Sequence, residues 1–260
     1  MSALAYQLDG SPDGPALLLA SSLGTDRDCW ARVLAAWAPA RRIVRFDHRG
    51  HGRSPAPAGA YAIADLGADV LELMDALDLR SCDFCGISLG GMVGLWLAAN
   101  APERIARLIV CASSAHMPPQ ERWQERARAV RRARSTAPIA DGVVERWLTP
   151  GFRAAHADVH AELLRMLLAT PASGYASCCE AIAAMDLRAE LPRIRAPTLV
   201  VCGAQDSAAP AAEHGEPLAR ALRDSRIETL SPAAHLLCVE RPRQLAALIA
   251  DHLGPEGGTI

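Results

Sequence analysis

The feature that most narrows the fold of this chain is Gly86-Ile87-Ser88-Leu89-Gly90, a G-x-S-x-G run. It directly follows an apolar stretch, Cys82 to Gly86, and directly precedes a glycine-rich helical run, Gly91 to Asn100. A serine in that setting suits a tight, strained turn between strand and helix. Small residues two before and two after it remove the clashes such a turn would otherwise cause. The strand and helix flanks favour this reading over a structural glycine turn.

Short apolar runs recur along the chain and alternate with longer helical patterns. Strands are expected at Ala16 to Ser21, Ile43 to Phe46, Cys82 to Gly86, Leu108 to Cys111, Thr198 to Cys202 and Arg226 to Leu230. Alternation of this kind implies a mostly parallel sheet. Between them, Ile63, Leu66, Val70, Leu73, Met74 and Leu77 recur at helical spacing, and Arg241 to Leu253 reads as a closing helix. The rhythm breaks from about His116 to Leu191. Glu121 to Arg134, Asp141 to Leu148, Ala154 to Ala169 and Tyr175 to Met185 read there as consecutive helices, bounded by Pro118-Pro119 and by Pro192 and Pro197. The expected architecture is α/β, with a sheet core over 1–115 and 192–260 and an all-helical cap inserted over 116–191.

A chain of 260 residues can bury roughly 70 to 75 % of its unfolded surface, so it needs no staple to fold. Its net charge of -2 supplies no basic field for nucleic acid or an anionic membrane, and the basic run Arg126 to Arg134 reads as a solvated helix face. The N-terminus lacks a basic region and an apolar core, and the run Gly86 to Ala99 is too short to span a bilayer, so a cytoplasmic protein is expected. The eight cysteines then read as reduced core residues, including the C-x-x-C of Cys82 and Cys85 and the adjacent Cys178 and Cys179. His156 and His160 lie one turn apart but lack a third ligand. No metal and no cofactor are expected. The composition leaves a homo-oligomer open.

A hydroxyl is a poor nucleophile at neutral pH and needs an adjacent base that a carboxylate orients. Asp206 and His235 supply these in the chain order Ser, Asp, His that α/β-hydrolases use, each just past an expected strand. Asp186 and Asp224 are the reserve carboxylates. Acyl transfer also needs two donors for the developing oxyanion. Leu89 N–H provides one by position, and the loop Ser21-Ser22-Leu23-Gly24-Thr25 after an early strand provides the other through Leu23 N–H, with Ser22 beside it. Asp47 to Ser54, which contains His48 and His51, reads as a structural loop rather than a metal site.

Taken together, these residues resemble the 3-oxoadipate enol-lactone hydrolases, a family of α/β-hydrolases. The resemblance covers nearly the whole chain. It rests on Ser22-Leu23-Gly24-Thr25, on Asp47-x-Arg49-Gly50-His51-Gly52-x-Ser54, on Gly86-Ile87-Ser88-Leu89-Gly90-Gly91-Met92 and on Ala233-Ala234-His235-Leu236. Trp123, Glu125 and Arg126, then Leu167-Leu168-Ala169-Thr170, are similar to that family's cap. The resemblance implies opening of a five-membered enol-lactone to 3-oxoadipate in protocatechuate and catechol catabolism. The partner is then a small anionic lactone, whose free carboxylate calls for an Arg or aromatic-lined pocket end between cap and core. Trp123, Arg126 and Trp147 are the cap candidates. Leu237-Cys238 departs from the more polar residues of the family. A carboxylesterase, a C–C bond hydrolase or a perhydrolase would share the same triad, and a binding protein without turnover would share the fold.

Overall fold

The computed structural model describes residues 4–37 and 40–254; the outermost residues of the core assignment lie outside the described residues. The chain runs β1 (Tyr6–Gly10), β2 (Ala16–Ala20), α1 (Ala31–Ala36), β3 (Arg42–Phe46), α2 (Ile63–Ala76), β4 (Cys82–Ile87), α3 (Leu89–Asn100) and β5 (Ile105–Cys111). Five helices follow: α4 (Gln120–Ala133), α5 (Ala137–Trp147), α6 (Pro150–Ala155), α7 (Ala157–Ala169) and α8 (Ala172–Ala184). β6 (Thr198–Gly203), α9 (Glu216–Ala221), β7 (Ser225–Leu230), α10 (Leu237–Glu240) and α11 (Pro242–Leu253) complete it.

The strands form one sheet in the order β1-β3-β2-β4-β5-β6-β7. Every neighbouring pair is parallel except β1 with β3. β4 and β6 are buried along their whole length, as expected of central strands covered on both faces, and this is why they are mostly apolar; the buried charge in β4, Asp83, is paired with Arg41 at 2.7 Å. α3 is apolar all round and almost wholly buried. Register sets Ala20 beside Gly86, Ile87 beside Cys111, Cys111 beside Val201 and Gly203 beside Leu230. The carboxyl ends of five strands therefore open on one edge, where open α/β sheets place their ligands.

β1 was not expected from the sequence. It is an edge strand with Tyr6 and Leu8 exposed, so neither of its faces needs an apolar pattern. The helix expected over 154–169 is two helices: His156, at φ -133° and ψ 62°, ends α6 and begins α7. α5 starts earlier than expected, with Pro138 in its first turn, where a missing N–H costs nothing. The two chain crossings that bracket the five helices run side by side, joined by a bridge between His116 and Asp186 and by Leu187 N–H donating to Ala115 O at 2.8 Å. Among the described residues, all eight cysteines are free and buried, and no helix is long and apolar enough to cross a membrane.

Candidate active site

Ser88 sits between β4 and α3 at φ 55° and ψ -115°, a conformation costly for a residue with a Cβ. Its surroundings hold it there: Ser88 N–H donates to Cys111 O at 2.8 Å and Ser113 Oγ donates to Ser88 O at 2.7 Å. The flanking glycines are required by space. A Cβ on Gly86 would lie 2.2 Å from the Gly90 carbonyl, and one on Gly90 would lie 2.4 Å from Ala20 O.

His235 follows β7, and its Nδ1 donates to Asp206 Oδ2 at 2.8 Å. That bond fixes the tautomer and leaves Nε2 as the unprotonated nitrogen. Asp206 follows β6 and is nearly enclosed. Its Oδ1 accepts from Ala208 N–H at 2.8 Å and Ala209 N–H at 3.0 Å. Burial pushes the Asp206 carboxyl up, but His235 and the two backbone donors outweigh it and hold the group below the ordinary carboxylate value. The reserve carboxylates lie elsewhere. Asp186 pairs with Arg188 at 2.6 Å, and Asp224 precedes β7, its carbonyl accepting from Thr198 N–H.

Ser88 and His235 line one cavity, together with Ser22 and Leu23. Among the described residues no hydrogen bond joins Ser88 Oγ to His235; contacts of this kind often tighten only when substrate is seated. Leu89 is the first residue of α3, so its N–H has no intrahelical acceptor. In the facing loop, Ser22 N–H donates to Thr25 Oγ1, Gly24 N–H to His51 Nε2 and Thr25 N–H to Ser22 O. Leu23 N–H is the one backbone donor of residues 22–25 without an acceptor among the described residues. Leu23 N–H and Leu89 N–H, the two expected oxyanion donors, both lack an acceptor among the described residues.

The Asp47 to Ser54 loop has a role beyond a tight turn. His48 Nε2 donates to Ser21 O at 3.1 Å, and that carbonyl also accepts from Gly90 N–H at 3.1 Å. His51 Nε2 accepts from Gly24 N–H at 2.9 Å while its Nδ1 donates to Arg49 O at 3.2 Å. Two neutral imidazoles therefore grip both ends of the Ser21 to Gly24 loop. Burial holds His51 down at about 4, and burial with His51 as neighbour holds His48 at about 3. Nothing in the sequence pattern separated this grip from an ordinary loop.

The wall opposite Ser88 comes from the helical insertion. Trp123 and Arg126 of α4 and Trp147 of α5 line the cavity. Arg126 Cζ lies 4.8 Å from the Trp123 ring centroid, and Trp123 Nε1 donates to Met117 O at 3.0 Å. Arg122 and Arg146 line it too, and sequence reasoning missed both. Arg122 stands one turn before Arg126 on the same face of α4, a spacing that could have found it. The basic run divides: Arg126 turns to the cavity, while Arg131 pairs with Glu180 at 2.6 Å. Among the described residues none of Arg122, Arg126 and Arg146 forms an ion pair. Burial, then Arg126 and Arg122, lower the Arg146 guanidinium below its usual value. Tyr175 is buried and lines the cavity beside them; burial pushes its phenol up, and the neighbouring Arg126 opposes that rise.

Residues 15–242 match the model of the α/β-hydrolase fold family. The chain is 41 % identical over 93 % of its length to 3-oxoadipate enol-lactonase 2 of Acinetobacter baylyi, covering 89 % of that protein. The crystal structure of the enol-lactonase from Burkholderia xenovorans LB400 superposes with a TM-score of 0.92 at 40 % identity, with 96 % of each chain covered. A protein of Stutzerimonas stutzeri, provisionally named the carbamate hydrolase RutD, is 30 % identical with 98 % of each chain covered. With this fold, this strand-end constellation and this degree of likeness, the chain belongs to the α/β-hydrolases and, within them, to the 3-oxoadipate enol-lactonase family of ester-bond hydrolases.

Proposed function

We propose that the protein opens the enol-lactone of 3-oxoadipate through an acyl-enzyme on Ser88, with residues 116–191 serving as the cap that binds the substrate's carboxylate. The observation that carries this reading is one cavity with Ser88 and His235 on the sheet side and, on the helical side, three arginines that form no ion pair among the described residues. Like charges crowded into a cavity without carboxylate partners favour an anionic guest.

Ser88 Oγ attacks the ring carbonyl as its proton passes to His235 Nε2, and Asp206 stabilises the imidazolium that forms. The oxyanion is received by Leu23 N–H and Leu89 N–H. The acyl–oxygen bond breaks, and the ring oxygen takes the His235 proton and leaves as an enol that becomes the ketone. Water, deprotonated by His235, then attacks the acyl-enzyme and releases 3-oxoadipate as Ser88 recovers its proton. Ser22, Trp123 and Trp147 line the same cavity, and the Trp123 ring lies 4.8 Å from Arg126 Cζ.

The RutD-like relative favours a second reading, cleavage of a smaller carbamate or ester. Such a substrate carries no distal carboxylate, so the two readings divide on the arginines. The test is loss of enol-lactone ultraviolet absorbance, with p-nitrophenyl acetate as a neutral ester. Ser88→Ala should abolish both activities, by about 10⁵-fold or more. Arg126→Leu and Arg146→Leu should each raise KM for the enol-lactone about 10- to 100-fold, as expected for a lost charge-assisted hydrogen bond, and leave the neutral ester unchanged. Turnover of the neutral ester alone would discard the enol-lactone reading.

A further inference from the structure

Glu240 ends α10 and is 3 % exposed, yet among the described residues no cation pairs with it. Three donors satisfy its carboxylate instead. Oε2 accepts from Ala234 N–H at 2.5 Å, next to His235 in the chain. Oε1 accepts from Thr149 N–H at 2.9 Å and Thr149 Oγ1–H at 2.7 Å. Thr149 belongs to the helical insertion, two residues after the cavity-lining Trp147 and three after Arg146. A fourth bond runs alongside, from Leu236 N–H to Trp147 O at 2.9 Å.

From this geometry we infer that Glu240 is a positioning residue that locks the substrate-facing wall of α5 to the loop carrying His235. The inference rests on the proposed role of His235 as the base. The same side of that loop is also tied to the Asp206 turn, because Gln205 N–H donates to Ala233 O at 2.8 Å. Glu240 holds the residue between that tie and His235, and the Leu236 bond to Trp147 O holds the residue after it. The backbone on either side of His235 is thereby fixed, and through Thr149 and Trp147 it is joined to the wall bearing Arg146. An acceptor-only group is required at 240, since all three partners are donors. Glutamine offers a single acceptor oxygen, and its NH₂ would face either Ala234 N–H or Thr149 as donor against donor.

The experiment compares Glu240→Gln, Thr149→Val and Thr149→Ser with the wild type. The substrates are p-nitrophenyl acetate and the anionic mono-p-nitrophenyl ester of adipic acid. The end point of fluorophosphonate labelling at Ser88 counts folded sites, so rates are read per folded molecule. Glu240→Gln should lower kcat on both esters, by up to about 10²-fold for a misplaced base, and raise KM for the anionic ester only. Thr149→Val should raise that KM with kcat nearly kept, and Thr149→Ser should restore it. Per-site kcat and KM within twofold of wild type in Glu240→Gln would overturn the inference, as would a Thr149→Ser that behaves like Thr149→Val. A failure of the hydrolase reading itself would appear separately, as Ser88→Ala retaining activity.

Discussion

The two sides of the cavity are held by different forces. On the sheet side, Ser88 and the Ser21 to Gly24 loop are fixed by backbone: parallel register, a strained φ of 55° and carbonyls such as Ser21 O that are shared between neighbouring segments. On the helical side the functional groups are the ends of long side chains on α4 and α5, placed by which face of a helix turns inward. The first arrangement resists change because moving one atom moves several elements. The second tolerates change in everything but the charged tips. An enzyme built this way can keep its chemistry while its cap is altered to suit another acid group.

The sharpest way to break that contrast is Gly90→Ala. The added Cβ would lie 2.4 Å from Ala20 O and 2.8 Å from Ala20 Cβ, and neither belongs to a flexible side-chain end. Something must shift, and it is the pairing of the nucleophile turn with the oxyanion loop. The expected outcome is a loss of kcat of about 10²-fold or more, because an oxyanion donor leaves its place, together with roughly 1–3 kcal/mol of destabilisation from overpacking. Urea unfolding beside steady-state kinetics would read both. A variant with wild-type kcat would mean that the turn has slack the packing does not show.

A second, smaller effect distinguishes the sheet side by pH. His48 and His51 titrate near 6.5 when unfolded but are held at about 3 and about 4 when folded. As pH falls from 6.5 toward 4, the unfolded chain takes up protons that the folded one refuses, so stability is lost over that window and is fully present above it. The loss from His51 alone is on the order of 3 kcal/mol by pH 4. His51→Gln keeps an oxygen to accept from Gly24 N–H but does not titrate. Melting temperatures across pH 4 to 7 should therefore fall less steeply in the variant, and parallel slopes would remove His51 as the cause.

The same division governs what the amino-acid sequence discloses. Ser88, Asp206 and His235 are readable as the proposed triad because each stands just past an apolar run, and because a strained turn leaves a glycine signature on both sides. Leu23 and Leu89 are proposed as oxyanion donors from position alone, since the donors are backbone. Arg146 is invisible by comparison: it sits in a helix whose apolar face is set by Val143, Val144 and Trp147, and nothing marks which flank meets the cavity. β1 escaped because an exposed edge strand has no buried face to pattern. Glu240 escaped because its partners lie 6 and 91 residues away and are backbone and hydroxyl groups rather than opposite charges.

The smallest effect comes from the helical side. Gly151 stands in the first turn of α6, and a Cβ added there meets nothing within 4 Å. Its φ lies outside the left-handed region, so alanine enters without strain. Gly151→Ala should then raise stability by roughly 0.5–1 kcal/mol, through a narrower unfolded ensemble and better helix propensity. kcat and KM should stay at wild-type values, because α6 presents no group to the cavity. The same chemical change, one methyl on a glycine, would thus inactivate on the sheet side and stabilise on the helical side. If Gly151→Ala instead altered KM for the anionic substrate, the strain would have to travel through Thr149, the residue that caps α6 and bonds to Glu240. The helical side would then be less tolerant than its open surface suggests.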